Sequence, residues 1–117
     1  MELTIEAART LYGDADSVHD FDHILRVLAL SERIAAAEGA DLGIVRTAAL
    51  LHDWGRAEAQ ANGQNHAEVA AARARSYLVD AGVPEGRVAA VVHAILAHRF
   101  RAAPAPQTLE AQVLFDA

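Results

Sequence analysis

The 117-residue sequence contains no cysteine and no lysine. Without cysteine there is no disulfide framework, no zinc–thiolate site and no thiol nucleophile, so His, Asp and Glu are the only strong metal ligands available. The N-terminus shows no targeting signal, and no segment approaches the roughly 18 consecutive apolar residues of a membrane span. We therefore expect a cytoplasmic protein that has no membrane partner.

Positive charge is also scarce, because the formal net charge is −6. Duplex binding depends on Lys and Arg neutralising several phosphates, so this charge argues against a nucleic-acid-coating protein. All ten basic residues are Arg, whose guanidinium suits bidentate contact with phosphate oxygens. A small phosphorylated ligand is compatible with this composition, and we assign most of the arginines to the surface.

Helix-forming residues dominate, and apolar positions recur three and four residues apart, which predicts an all-α fold. The length and the 53% apolar content suit one domain over residues 1–117, a compact bundle of five to six helices. We expect helices from Glu2 to Tyr12, from Asp20 or Asp22 to Gly39, from Asp41 to His52 and Asp53, from His66 to Asp80, from Pro84 to His98, and from Thr108 to the end. A polar loop is expected over residues 61–65.

The adjacent His52 and Asp53 end an apolar predicted helix. Neighbouring helical side chains point about 100° apart, so one cation lying between them can take an imidazole nitrogen and a carboxylate oxygen. The alternative is a helix C-terminal cap, in which the helix dipole favours His52 and Asp53 only forms a turn. Because a carboxylate near a helix C-terminus opposes the dipole, we favour a compensating dication.

A second motif begins at His23, in the first turns of the apolar helix that is predicted to end at Gly39. Arg26 lies three residues further on and shares a helix face with His23, so it can reach a phosphate bound to a metal on His23. We interpret the neighbouring His19 and Asp20 as a polar helix start.

These motifs resemble the HD-domain superfamily of metal-dependent phosphohydrolases. The likeness rests on the run His23–Val27, on the Ala-Leu-Leu-His-Asp run that ends at Asp53, and on Asp116 in the place of the closing aspartate. It implies a helical bundle in which four residues bind one divalent cation, namely His23, His52, Asp53 and Asp116. Relatives usually continue as helix past the closing aspartate, so we expect the domain to be truncated at its C-terminus.

Three further histidines, His66, His93 and His98, resemble positions that subgroups of this superfamily use for phosphate binding or for a second metal. His93 and His98 lie about 140° apart around a helix, so we do not expect both to bind one ion. The alternative is that His66 only begins a helix and that His98 is a dipole-favoured helix end. The arginines expected to contact phosphate are, in order, Arg56, Arg26 and Arg99.

Mixed imidazole and carboxylate ligands suit Mn²⁺, Fe²⁺, Co²⁺, Ni²⁺ or Zn²⁺. The resemblance implies hydrolysis of a phosphate ester or phosphoanhydride in a small molecule, with a nucleotide as the expected substrate and attack by a metal-bound water. Asp53, Glu58 and a neighbouring histidine all remain candidates for the proton-transferring group. The alternatives are a cyclic-nucleotide phosphodiesterase and a non-catalytic signalling or scaffold module. Exposed apolar residues are compatible with a homodimer.

Overall fold

The structure is a computed structural model that describes residues 3–13, 18–98 and 105–117. Within these ranges the chain forms seven helices and no strand, which confirms the predicted all-α class. The helices are α1 (Ile5–Tyr12), α2 (Val18–Glu38), α3 (Leu42–Leu51), α4 (Arg56–Ala61), α5 (His66–Asp80), α6 (Glu85–Ala97) and α7 (Leu109–Asp116).

Side-chain caps set the start of four of these helices. Thr4, Asp41, Asn65 and Thr108 each accept a hydrogen bond from a backbone N–H in the first turn of the helix that follows. These bonds satisfy donors that have no partner inside the helix. The predicted starts of α3, α5 and α7 agree with the structure to within one residue.

Three parts of the helix prediction differ from the structure, and the first is that α1 begins at Ile5 rather than at Glu2. The short helix α4 was not predicted, because six residues are too few for an apolar repeat to appear, and it raises the count to seven. Gly55 makes the abrupt turn into α4 possible by adopting φ +89°. Helix α2 begins at Val18, two residues before the earlier of its two predicted starts, Asp20 and Asp22.

Helix α3 lies at the centre of the bundle and packs against α2, α6 and α7. Its last turn is fully buried, since Ala48, Ala49, Leu50 and Leu51 are each 0% exposed. The His–Asp pair follows directly, so the core holds the backbone from which both side chains extend. Across the part of the chain that the structure describes, no helix combines the length and the apolar character needed to span a membrane.

The start of α3 is held to two other helices through Asp41. Its side chain caps α3 by accepting from the Ile44 N–H at 3.1 Å, and it also accepts from Arg87 Nη1 of α6 at 3.1 Å. Its own N–H donates to Glu110 Oε2 of α7 at 2.9 Å. The hydrogen bond from Arg87, followed by that from Ile44, lowers the pKa of Asp41 below its usual 3.8.

We predict that Asp41→Ala lowers the free energy of unfolding by about 1 kcal/mol at pH 7, because the cap is lost. The measurement is urea denaturation. The loss should shrink as the pH falls below 3.8, because protonation of a carboxyl with a lowered folded-state pKa removes its contribution. Asp80→Ala, at the exposed end of α5, is the control and should change the free energy by no more than about 0.5 kcal/mol. Equal stabilities of the Asp41→Ala variant and the parent would contradict the prediction.

Candidate metal centre

His52 occupies the C-cap position of α3 and is 3% exposed. A continued α-helix would offer the Ala49 carbonyl to the N–H of Asp53. Here His52 Nδ1 donates to that carbonyl at 2.6 Å instead. Because a carbonyl only accepts, Nδ1 carries the ring proton, and Nε2 keeps its lone pair for a metal. His52 therefore caps the helix and presents a ligand atom, so the two interpretations from the sequence are compatible.

The protonation state of His52 also suits metal binding. Burial lowers the pKa of His52 to about 4, although the neighbouring Asp53 carboxylate acts in the opposite direction. The ring is therefore uncharged at neutral pH, which is the form that binds metal ions.

The Asp53 carboxylate lies at the centre of the cluster. Its Oδ2 atom is 3.7 Å from His23 Nε2, 3.8 Å from His52 Nε2 and 3.3 Å from Arg56 Nη1. The ligand atoms of His23, His52 and Asp53 all lie within 4.8 Å of one another. This separation leaves space for a cation about 2 Å from each atom.

Opposing influences act on the pKa of Asp53. Burial raises it, whereas electrostatic interactions with His52, Arg56 and His23 lower it, and the net effect is a lowered pKa. Because His52 is itself uncharged at neutral pH, Arg56 is the permanent positive charge that keeps the carboxyl ionised. An ionised carboxylate beside a neutral imidazole is the combination that a divalent cation requires.

A second group of ligand atoms shares Asp53 and adds His66 and His98, again within 4.8 Å of one another. His66 begins α5, after its Asn65 cap, and His98 is the C-cap of α6. The His98 ring lies 5.0 Å from that of His52 and 6.1 Å from that of His66, measured between centroids. His98 Nδ1 also bonds to the Ile95 carbonyl, which repeats the arrangement at the end of α3.

Two predicted site residues lie in neither group of the described residues. His93 Nε2 accepts from the Gln107 N–H at 2.9 Å, and the expectation that His93 and His98 do not share an ion stays a prediction. Asp116 is exposed near the end of α7, and its Oδ1 accepts from Gln112 Nε2 at 2.9 Å. The roles of His93 and Asp116 stay predictions.

The remaining candidates are placed as follows. Arg56 lies beside Asp53, and Arg26 is exposed on α2, one turn from His23. Glu58 is exposed and accepts from Arg73 Nη2 at 2.7 Å, and it belongs to neither group of the described ligand atoms. Arg99 lies outside the described residues.

The sequence offered no sign of one residue that contacts the His–Asp pair. Tyr12 is buried, and its hydroxyl donates to the Leu50 carbonyl at 2.8 Å and accepts from the Asp53 N–H at 3.3 Å. These partners are 38 and 41 residues away in the chain. The local sequence predicts only that Tyr12 is buried, because Ala8 and Tyr12 lie four residues apart on one face of α1.

Residues 20–117 match the HD domain family model, and the chain belongs to this family. The crystal structure of a predicted HD superfamily hydrolase from an uncultured Thermotogales bacterium aligns with a TM-score of 0.82 and 34% identity, covering 96% of this chain and 62% of that one.

Ribonuclease Y of Chloroflexus aurantiacus is 38% identical over 109 residues, which are 93% of this chain and 19% of that protein. Ribonuclease Y of Cutibacterium acnes is 37% identical over 91 residues, which are 77% of this chain and 15% of that protein. The chain therefore spans less than a fifth of the length of these two relatives. The Bacillus subtilis protein YpgQ is 47% identical over 45 residues, 38% of this chain and 22% of that protein.

We predict that the His52 ring of the metal-free protein is uncharged at pH 6 and carries its proton on Nδ1. The measurement is ¹⁵N NMR of the imidazole nitrogens, with His52→Ala used to assign the resonances. Because an unfolded histidine binds a proton near pH 6.5 and the buried ring does not, this group should also make folding less stable as the pH falls from 6.5 toward 4. Titration of the ring near pH 6.5, or a proton on Nε2, would be inconsistent with the structure.

Proposed function

We propose that this chain hydrolyses a phosphate ester or phosphoanhydride in a small molecule, with a nucleotide as the expected substrate. The observation that carries the proposal is the convergence of His23, His52 and Asp53, whose ligand atoms lie within 4.8 Å of one another. Membership of the HD family, and the hydrolase named as its structural neighbour, support metal-dependent phosphohydrolase chemistry in general.

The donor set supports a first-row transition metal. Imidazole nitrogens together with a carboxylate suit Mn²⁺, Fe²⁺, Co²⁺, Ni²⁺ or Zn²⁺ better than Mg²⁺ or Ca²⁺, which prefer oxygen ligands. His23, His52 and Asp53 would hold this cation. Asp116 is retained as the fourth ligand on the family resemblance alone.

We further propose that His66 and His98 complete a second binding position, either for another cation or for a phosphate oxygen. Asp53 has two carboxylate oxygens and belongs to both groups of ligand atoms, so it can serve both positions. The measured ratio of metal to protein separates these alternatives, since two ions per chain require the second position to bind metal.

The residues around the centre suit attack on a phosphorus atom. When bound, a divalent cation supplies positive charge for the phosphoryl oxygens and acidifies water. Arg56, whose side chain is 44% exposed, contacts Asp53 through Nη1, so its other N–H groups can donate to a phosphate oxygen. Asp53 or one of the clustered histidines would accept a proton from the attacking water.

The named relatives raise a second candidate substrate, the phosphodiester of RNA, because two of them are called ribonuclease Y. The net charge of −6 favours a small phosphorylated molecule over a nucleic acid. A non-catalytic module is the third candidate, and it would have no need of the clustered ligands.

We predict that His52→Ala and Asp53→Ala each abolish metal binding and hydrolysis while leaving helix content largely intact. The measurements are elemental analysis of purified protein, phosphate release and circular dichroism. His93→Ala serves as the matched control for metal content, because His93 belongs to neither group of ligand atoms, and it should retain the metal. Unchanged metal content in both the His52 and Asp53 variants would rule out the assignment.

We also predict that the manganese-supplemented protein turns over small nucleotides faster than short single-stranded RNA. The panel contains nucleoside mono-, di- and triphosphates, cyclic nucleotides, simple phosphate esters and RNA, and each reaction is followed by chromatography of the products. Preferential cleavage of RNA would contradict this prediction and favour the RNA phosphodiester as the substrate. A protein that carries no stoichiometric metal and turns over none of these compounds would support the non-catalytic module.

A further inference from the structure

The end of α3 leaves a backbone donor in need of a partner. His52 Nδ1 donates to the Ala49 carbonyl at 2.6 Å, at the place where the Asp53 N–H would bond in a continued helix. The Asp53 N–H is part of a buried residue, and a buried N–H without a partner is costly. The bond that orients His52 therefore requires another acceptor for Asp53.

The Leu50 carbonyl, at the same helix end, likewise lacks its usual partner within the helix. The Trp54 N–H, which would bond to the Leu50 carbonyl in a regular helix, bonds instead to the Leu51 carbonyl at 3.1 Å. This tightening of the last turn is common at helix ends, and it leaves the Leu50 carbonyl to other donors. Leu50 is 0% exposed, so that donor must come from within the protein.

The Tyr12 hydroxyl meets both requirements at one point. It donates to the Leu50 carbonyl at 2.8 Å and accepts from the Asp53 N–H at 3.3 Å, so one hydroxyl group serves both as donor and as acceptor. The Tyr12 ring is 6% exposed and packs edge-on against Phe21 at 5.5 Å. Phe21 precedes His23 by two residues on α2, so the same ring contacts the helix that supplies the other histidine ligand.

We infer that Tyr12 is a positioning residue of the metal centre, an inference that rests on the proposed function. Its hydroxyl fixes the backbone of Asp53 while the His52 ring takes the Ala49 carbonyl. The two side chains are thereby held with His52 Nε2 facing Asp53 Oδ2 at 3.8 Å. Tyr12 reaches the His–Asp pair through its bond with the Asp53 N–H, so it acts through the main chain.

The test is Tyr12→Phe, which keeps the ring and its contact with Phe21 but removes the hydroxyl. Partners that orient metal ligands typically contribute tenfold to a hundredfold in metal affinity, so we expect the dissociation constant for Co²⁺ to rise about tenfold. The visible absorption spectrum of bound Co²⁺ should change, because it reports the coordination geometry. In the metal-free protein, the Asp53 amide should exchange its hydrogen faster.

Tyr77→Phe is the matched control. Its ring packs edge-on against Trp54 at 6.0 Å, so the same chemical change is made beside the His–Asp pair, away from the Asp53 N–H. We expect its Co²⁺ affinity and spectrum to equal those of the parent protein. The thermal midpoints of both metal-free variants are measured in parallel.

If Tyr12→Phe keeps the parent's Co²⁺ affinity and spectrum, the inference is overturned and the proposed function stays intact. The same holds if the variant has a lower thermal midpoint but unchanged Co²⁺ affinity and spectrum. If the parent protein itself fails to bind Co²⁺, Mn²⁺ and Zn²⁺, the proposed function and the inference both fail. Weakened binding with an altered spectrum in Tyr12→Phe, and neither change in Tyr77→Phe, supports the positioning role.

Discussion

The hydrogen bond from His52 Nδ1 to the Ala49 carbonyl connects the fold to the site. It ends α3, it places the ring proton on Nδ1, and it leaves Nε2 available toward Asp53. His98 makes the same bond to the Ile95 carbonyl at the end of α6. Every α-helix ends with carbonyls that lack intrahelical partners, and this protein uses two of them to orient histidine rings. One hydrogen bond therefore caps the helix and also fixes the tautomer of the histidine ring.

The central position of α3 explains why distant parts of the chain meet at this point. Because its last turn is buried, the His–Asp pair emerges where α2, α5 and α6 also present histidines, at His23, His66 and His98. Four imidazole rings surround a single clustered carboxylate, that of Asp53, among the described ligand atoms. The charge of Arg56 and the uncharged state of His52 keep the cluster in a form that accepts a cation.

Local signals in the sequence predicted much of this arrangement. Asp41 marked the start of α3 because a capping side chain acts within three residues of itself, and the polar loop over residues 61–65 marked the start of α5. The short α4 escaped prediction because its six residues are too few to show an apolar repeat, and its start depends on the backbone of Gly55. A Cβ at Gly55 would also lie 2.8 Å from Arg73 Cζ, a contact that only the folded chain creates.

The histidines of α6 show where the prediction was incomplete. His93 and His98 were expected to face different directions, and the structure brings only His98 to Asp53. A signal for this choice was present, because His98 continues the buried positions Val88, Val91 and Ile95 at helical spacing, whereas His93 does not. The contacts of the Tyr12 hydroxyl had no such signal, because they join residues 38 and 41 positions apart through the packing of α1.

Anomalous diffraction from crystals grown with Zn²⁺ shows directly whether His23, His52 and Asp53 bind one cation. We expect a metal peak about 2.0–2.2 Å from Nε2 of His23, Nε2 of His52 and an oxygen of Asp53, with the bond from His52 Nδ1 to the Ala49 carbonyl retained. A metal bound elsewhere, or a His52 ring turned so that Nδ1 faces the ion and the Ala49 bond is broken, would contradict this expectation.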